Sequence, residues 1–176
     1  HPNELLLDPS GERLFVANAN RNSVSVLDTS TGATLEVLVA TMSGTRDAAA
    51  VPAAGETQPP GVSNDPNAAP GNTPNSLALS PDQKTLYIAN ANINALAVFD
   101  VSEKGRSRSL GFVPTGWYPT SVRVTPNGKH LLVANGKGSA SHPNRLGPRP
   151  GNEWPETVRE YIGGLMRGPS SIIALP

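Results

Sequence analysis

The chain has 176 residues in which 14 Lys and Arg balance 14 Asp and Glu, with 17 Gly, 18 Pro and no Cys. That length sustains one ordinary hydrophobic core, and the turn-rich composition suits a loop-dense β protein. The lack of cysteine excludes disulfides, thiolate nucleophiles and zinc sites built on Cys, and no run of about 18 apolar residues is present to cross a membrane as a helix.

The neutral total conceals a gradient. Residues 1–72 carry three arginines against eight carboxylates, whereas residues 120–176 carry seven Lys or Arg against Glu153, Glu156 and Glu160. The first residue is His1 rather than Met, which reads as a trimmed or processed N-terminus.

In chain order, Leu5-Leu6-Leu7 leads through Asp8-Pro9-Ser10-Gly11 into Leu14-Phe15-Val16-Ala17. Proline presets φ at the second turn position and Asp accepts its own backbone amides, so the segment predicts a hairpin. A third strand is expected over Ser23 to Asp28 and a fourth over Thr34 to Ala40. Ser43 to Asn72 is poor in strand formers and rich in Ala, Pro, Gly and Asn, and is expected to be an inserted, mobile loop.

The pattern then recurs. Ser76 to Leu79, the tetrad Ser80-Pro81-Asp82-Gln83, Leu86 to Ala89, Ala95 to Asp100 and Ser109 to Pro114 repeat the first unit. Ser121 to Val124, Thr125-Pro126-Asn127-Gly128, Leu131 to Ala134 and Ser171 to Leu175 begin a third. Within it, Gly136 to Gly168 is a second insertion, and Pro155, Glu156 and Glu160 followed by Gly163-Gly164 predict a short helix.

Pro81 and Pro126 are 45 residues apart, which fits the roughly 40–50 residues of a four-stranded propeller blade. The second strands are apolar at consecutive positions, so both their faces are expected to meet protein. A two-sheet sandwich would instead require alternation. The expected fold is therefore all-β: a partial β-propeller of about three four-stranded blades, with a short helix in an insertion. The expected boundaries are residues 3–40 for blade 1, 43–72 for the first insertion, 75–114 for blade 2, and 120–176 for blade 3 with its insertion at 136–168.

"LFVANAN", "LYIANAN" and "LLVANGKG" resemble the YVTN-type propeller repeat of bacterial and archaeal surface and periplasmic proteins, with Ala in place of the Thr before the Asn. "VPTGWYPTSV", "VTPNGKHLLVANGKG" and "YIGGLMRGPSSII" in succession resemble the propeller portion of bacterial proteins that join YVTN repeats to a phosphoesterase of the alkaline phosphatase type. The resemblance implies an exported protein, periplasmic or extracellular, whose whole propeller has about seven blades. The metal-ligand and nucleophile motifs of that phosphoesterase lie in a separate domain, so no catalytic residue is carried over to this chain. It implies a non-catalytic scaffold or interaction module, or else the accessory propeller part of a secreted phosphoesterase.

The residues themselves supply few candidates for chemistry. His1, His130 and His142 have no metal-ligand spacing, and no cofactor or metal is expected. Asn135-Gly136-Lys137-Gly138-Ser139 lacks the full phosphate-loop spacing, yet exposed amides near Lys137, Arg145 and Arg149 could hold a small anion. Those three with His142 form the candidate anion loop, and also the residues that a direct hydrolytic role would need. Trp117 and Tyr118 read as a wedge between blades, with a ligand platform as the rival; Trp154 and Tyr161 are the candidate contact surface. Basic residues without interleaved aromatics give no reason to expect nucleic acid. Three blades leave an uncovered apolar face at each end, so the expected partners are further blades or a second copy of the chain.

Overall fold

In a computed structural model, the chain is described over residues 1–41, 72–138 and 166–176. The expected insertions, the short helix, His142, Arg145, Arg149, Trp154 and Tyr161 lie outside these residues. The described strands are β1 (Pro2–Leu7), β2 (Arg13–Asn18), β3 (Ser23–Asp28), β4 (Thr34–Val39), β5 (Pro74–Leu79), β6 (Thr85–Asn90), β7 (Ala95–Asp100), β8 (Arg108–Pro114), β9 (Pro119–Val124), β10 (His130–Asn135) and β11 (Ser170–Ala174). They form three separate antiparallel sheets ordered β1-β2-β3-β4, β5-β6-β7-β8 and β11-β10-β9, the last with three strands among the described residues. Serial meanders of this kind are the blades of a β-propeller.

Each tetrad makes the turn its sequence predicts. The amides of Gly11, Gln83 and Gly128 donate to the carbonyls of Asp8, Ser80 and Thr125 at 2.9, 2.8 and 2.8 Å. All three fourth residues are left-handed, with φ of 76°, 62° and 70°, a conformation that Gly adopts without cost and Gln83 does not.

Two apolar layers hold the sheets face to face. Phe15, Val24, Val26 and Leu38 of the first sheet pack on Leu77, Leu86, Ile88 and Phe99 of the second. On the other side of the second sheet, Tyr87, Ala89 and Leu96 pack on Val122, Leu131 and Val133 of the third. Consecutive apolar residues are thus buried on both faces in β6, where Leu86 through Asn90 are all buried. In β2 and β10 burial alternates instead, because the outer sheets have a neighbour on one side. The expectation of two covered faces for every second strand holds for the middle blade alone.

Polar contacts between blades repeat with the sequence. Asn22 and Asn94 each end a short 3-10 turn in the left-handed region, at φ of 52° and 56°. Their Oδ1 atoms accept the amides of Asn72 (2.6 Å) and Tyr118 (2.8 Å), where the chain enters the next blade. The recurring Asn of "ANANRN" and "ANANIN" is thereby explained as a staple between consecutive blades. Glu36, buried between the first two sheets, accepts the Ser107 amide at 2.9 Å and the Ser107 hydroxyl at 2.7 Å.

Candidate axial site

The first strands β1, β5 and β9 stand side by side, and each has a bulge at the same place. The register steps between Pro2 and Glu4, between Pro74 and Ser76, and across from Ala134 and Asn135, where Ser121 and Pro119 pair. Residues that precede two of these prolines, Thr73 and Tyr118, have φ of 53° and 62°. Left-handed geometry before proline is strained, and it re-aims the chain as it enters each inner strand.

These bulges set Glu4, Ser76 and Ser121 at equivalent positions. Glu4 Oε2 accepts the Leu77 amide, and Ser76 Oγ accepts the equivalent Val122 amide at 3.2 Å. Arg123 turns back from β9 toward the first two blades. Its Nη1 donates to the Val122 carbonyl at 2.6 Å and to Ser76 Oγ at 3.3 Å, and its Nη2 donates to Glu4 Oε1 at 3.4 Å.

A cleft of about 530 Å³ lies along this axis, and Glu4 and Arg123 are the charged residues among those described that line it. Leu5, Leu7, Leu79 and Val124 supply apolar wall, and Pro9, Pro81 and Pro126 of the three turns close its floor. The Arg123 side chain keeps 60% of its exposure and the Glu4 side chain 24%. Both Glu4 oxygens already receive donors, so the carboxylate positions Arg123 rather than standing free to take a proton. The guanidinium, anchored on one edge, retains donors for an anionic group.

Lys137 is separate from the cleft. Its Nζ lies 4.7 Å from the Tyr118 ring centroid and 5.4 Å from that of Trp117, and its amide donates to the Trp117 carbonyl at 3.2 Å. The structure therefore joins Lys137 to the Trp117-Tyr118 turn, while its expected companions lie outside the described residues. Trp117 is 53% exposed, which differs from the wedge expected of it. The turn packs tightly on β10: a Cβ on Gly116 would come within 2.7 Å of the Asn135 side chain.

Glu4, Ser76 and Arg123 escaped the sequence reading. A signal was present, since "NELLL", "NSLAL" and "TSVRV" align, and Arg123 stands where the other repeats have Leu6 and Ala78. Among the described residues no group of three or more His, Cys, Asp or Glu converges to hold a metal.

Stacked antiparallel meanders whose first strands line an axial cleft define a segment of a multi-bladed β-propeller. The chain belongs to the family described as "Lactonase, 7-bladed beta-propeller", whose profile matches residues 5–151. Similar solved structures include Kuenenia stuttgartiensis hydrazine synthase, at 21% identity and a TM-score of 0.56 over 77% of this chain and 29% of that one. A "putative 6-phosphogluconolactonase" from Bacteroides fragilis is similar at 23% identity and a TM-score of 0.57, covering 77% of this chain and 32% of that one. A protein of the same description from Bacteroides uniformis is 26% identical with a TM-score of 0.54, covering 77% and 33%. The chain spans about a third of the length of these structures.

Proposed function

We propose that this chain supplies consecutive blades of a larger lactonase-type propeller, and that its own part in function is recognition: the axial cleft holds a small ligand whose anionic group pairs with Arg123. The observation that carries this reading is the accessible guanidinium, braced by Glu4 and Ser76 in a cleft whose remaining wall is mostly leucine and proline, with Ser80 and Thr125 as its uncharged polar members. A sugar acid or sugar phosphate suits such a cleft, because its anion meets Arg123 while its carbon skeleton lies against leucines.

Lactone hydrolysis is the second reading, favoured by the family match. Water must add to the lactone carbonyl, the acyl-oxygen bond must break, and the released alkoxide must take a proton. Arg123 can steady the anionic part of such a substrate, but Glu4 is already committed to the Leu77 amide and Arg123, so the base for that step is assigned to other blades. The resemblance to phosphoesterase-associated propellers supports a related version, in which the module is exported and accompanies a catalytic domain on a longer protein.

Calorimetry with 6-phosphogluconate as the probe tests the recognition reading. Binding by the full 176-residue chain should be lost in Arg123→Gln and kept in Lys137→Met; equal binding by wild type and Arg123→Gln would refute it. Acid release from glucono-δ-lactone and phenolate release from p-nitrophenyl phosphate should both stay at the spontaneous rate. Turnover of the lactone that Glu4→Gln abolishes would transfer the chemistry to this chain.

A further inference from the structure

The turns that lead into the second and third blades share a backbone and differ in side chains. Trp117-Tyr118-Pro119 aligns with Asn72-Thr73-Pro74, and Lys137 aligns with Asn92, each the second residue after the repeated Asn135 or Asn90. The amides of Asn92 and Lys137 donate to the carbonyls of Asn72 and Trp117, both at 3.2 Å. Those of Ala91 and Gly136 donate to the carbonyls of Thr73 and Tyr118 at 3.0 and 2.7 Å. Thr73 and Tyr118 are both left-handed, with φ of 53° and 62°.

In the second blade the three side chains satisfy the protein itself. Asn92 Nδ2 donates to Thr73 Oγ1 at 2.7 Å, and Asn72 Nδ2 donates to the Ala40 carbonyl at 2.9 Å. In the third blade two aromatic rings and an ammonium stand in the same three places. Trp117 is 53% exposed, Lys137 Nζ lies over both rings, and among the described residues no carboxylate pairs with that ammonium. Asn, Thr and Asn are enough to build this turn, so the fold does not call for Trp117, Tyr118 and Lys137, and burial does not account for the indole.

The turn stands at a junction with a blade on each side: Asn94 of the second accepts the Tyr118 amide, and Gly136 and Lys137 of the third donate to Tyr118 and Trp117. Its chemistry defines a ligand. A half-open indole offers a flat face whose negative quadrupole attracts polarised C–H groups, and the ammonium beside it attracts an anion. The hydroxyls of Thr115 and Thr120, which flank the turn in sequence, donate to the carbonyls of Gly116 and Ala134 at 3.1 and 3.2 Å. Their oxygens keep acceptor capacity for hydroxyl donors. Around them, residues 119–138 and 166–176 contain Arg123, Lys129, Lys137 and Arg167 and no carboxylate, a field that favours an anionic ligand. A C–H face, several hydroxyls and one negative charge occur together in a pyranose that bears a carboxylate or phosphate.

We infer that Trp117, Tyr118 and Lys137 form a binding shelf for acidic pyranose sugars, separate from the axial cleft. The sugar ring stacks on the Trp117 indole and its anionic group pairs with the Lys137 ammonium, which the Tyr118 ring holds in place.

Calorimetry on the full chain tests this with methyl β-D-glucuronide as the probe, methyl β-D-glucoside as the same ring without charge, and adenosine monophosphate as an anion on a flat base. Wild type should bind the glucuronide about tenfold more tightly than the glucoside. Trp117→Asn and Lys137→Asn install the residues that the second blade uses in the same turn, and circular dichroism checks that they fold. The first should abolish binding and the second should lower glucuronide affinity to that of the glucoside. Arg123→Gln should bind the glucuronide as wild type does, so this site and the axial cleft stand or fall separately. In a Trp154→Phe background Trp117 is the single tryptophan, and its fluorescence should change on titration with the glucuronide, a readout that needs no substitution on the shelf. Absence of glucuronide binding, equal affinity for the two glycosides, tighter binding of adenosine monophosphate, loss of binding in Arg123→Gln, or an unchanged Trp117 signal would overturn the inference, as would binding that survives Trp117→Asn.

Discussion

At the scale of single residues, the aspartates that close the outer turns show how local chemistry sets a pH response. Asp100 accepts the Ser102 hydroxyl at 2.6 Å and the Ser102 amide at 3.0 Å, with the Arg108 guanidinium 2.8 Å away. These donors, the Ser102 hydroxyl foremost, lower its pKa from 3.8 to about 2. Asp28 is held well below the usual range by the Ser30 hydroxyl first and by Lys104 next. For such depressed groups the native state prefers the ionised form, so their stabilisation is complete above the unfolded value and disappears as pH falls through the folded one. The denaturation midpoint should accordingly be flat above about pH 5 and drop between about pH 4 and 2, and Asp100→Asn should lessen the drop. Urea titrations at a series of pH values check this; an unchanged acid limb in Asp100→Asn would count against the assignment. Asp28 and Asp100 end the third strands expected from the sequence, and each carboxylate accepts the amide two residues on, which makes the turn that follows.

Turns and strands were the most legible elements, because their signals are local. Pro at the second position and a left-handed fourth residue recur in all three inner turns, and the repeat itself exposes the odd member, Gln83, where its counterparts are Gly11 and Gly128. Gln83→Gly relieves the left-handed strain and should raise stability by about 0.5–1 kcal/mol, less the entropy that glycine adds to the unfolded chain. Thermal melts compared with wild type would show it, and a lower midpoint would mean that the Gln83 side chain supplies more than the strain costs. The inner-strand bulges were not legible. "PNE", "PNS" and "PTS" look like ordinary strand starts, and only pairing to β2, β6 and β10 shows which residue is displaced. With the bulges went the axial cluster, since Glu4 and Arg123 are 119 positions apart and meet through the stacking of blades.

Across the whole molecule, position in the stack decides what a residue contributes. Tyr87 and Leu132 occupy equivalent positions in the repeated second strands, yet Tyr87 is buried, at 7%, and Leu132 is 44% exposed. Tyr87→Ala should cost about 3–5 kcal/mol and Leu132→Ala less than about 1 kcal/mol. Chemical denaturation of the two variants measures the contrast; equal losses would show that Leu132 contributes as much packing as Tyr87.

What the sequence by itself determined was the repeating unit: hairpins, their turn chemistry, the all-β class and the need to cover apolar sheet faces, all of which follow from short-range pattern and composition. Tertiary structure decided which faces are actually covered, how asparagine side chains staple one blade to the next, and that Arg123 bends back to the axis beside Glu4 and Ser76. The physical reason is that backbone turns are governed by neighbours along the chain, whereas burial and ion pairing depend on which sheet lies alongside, and identical strand sequences cannot encode their place in the stack.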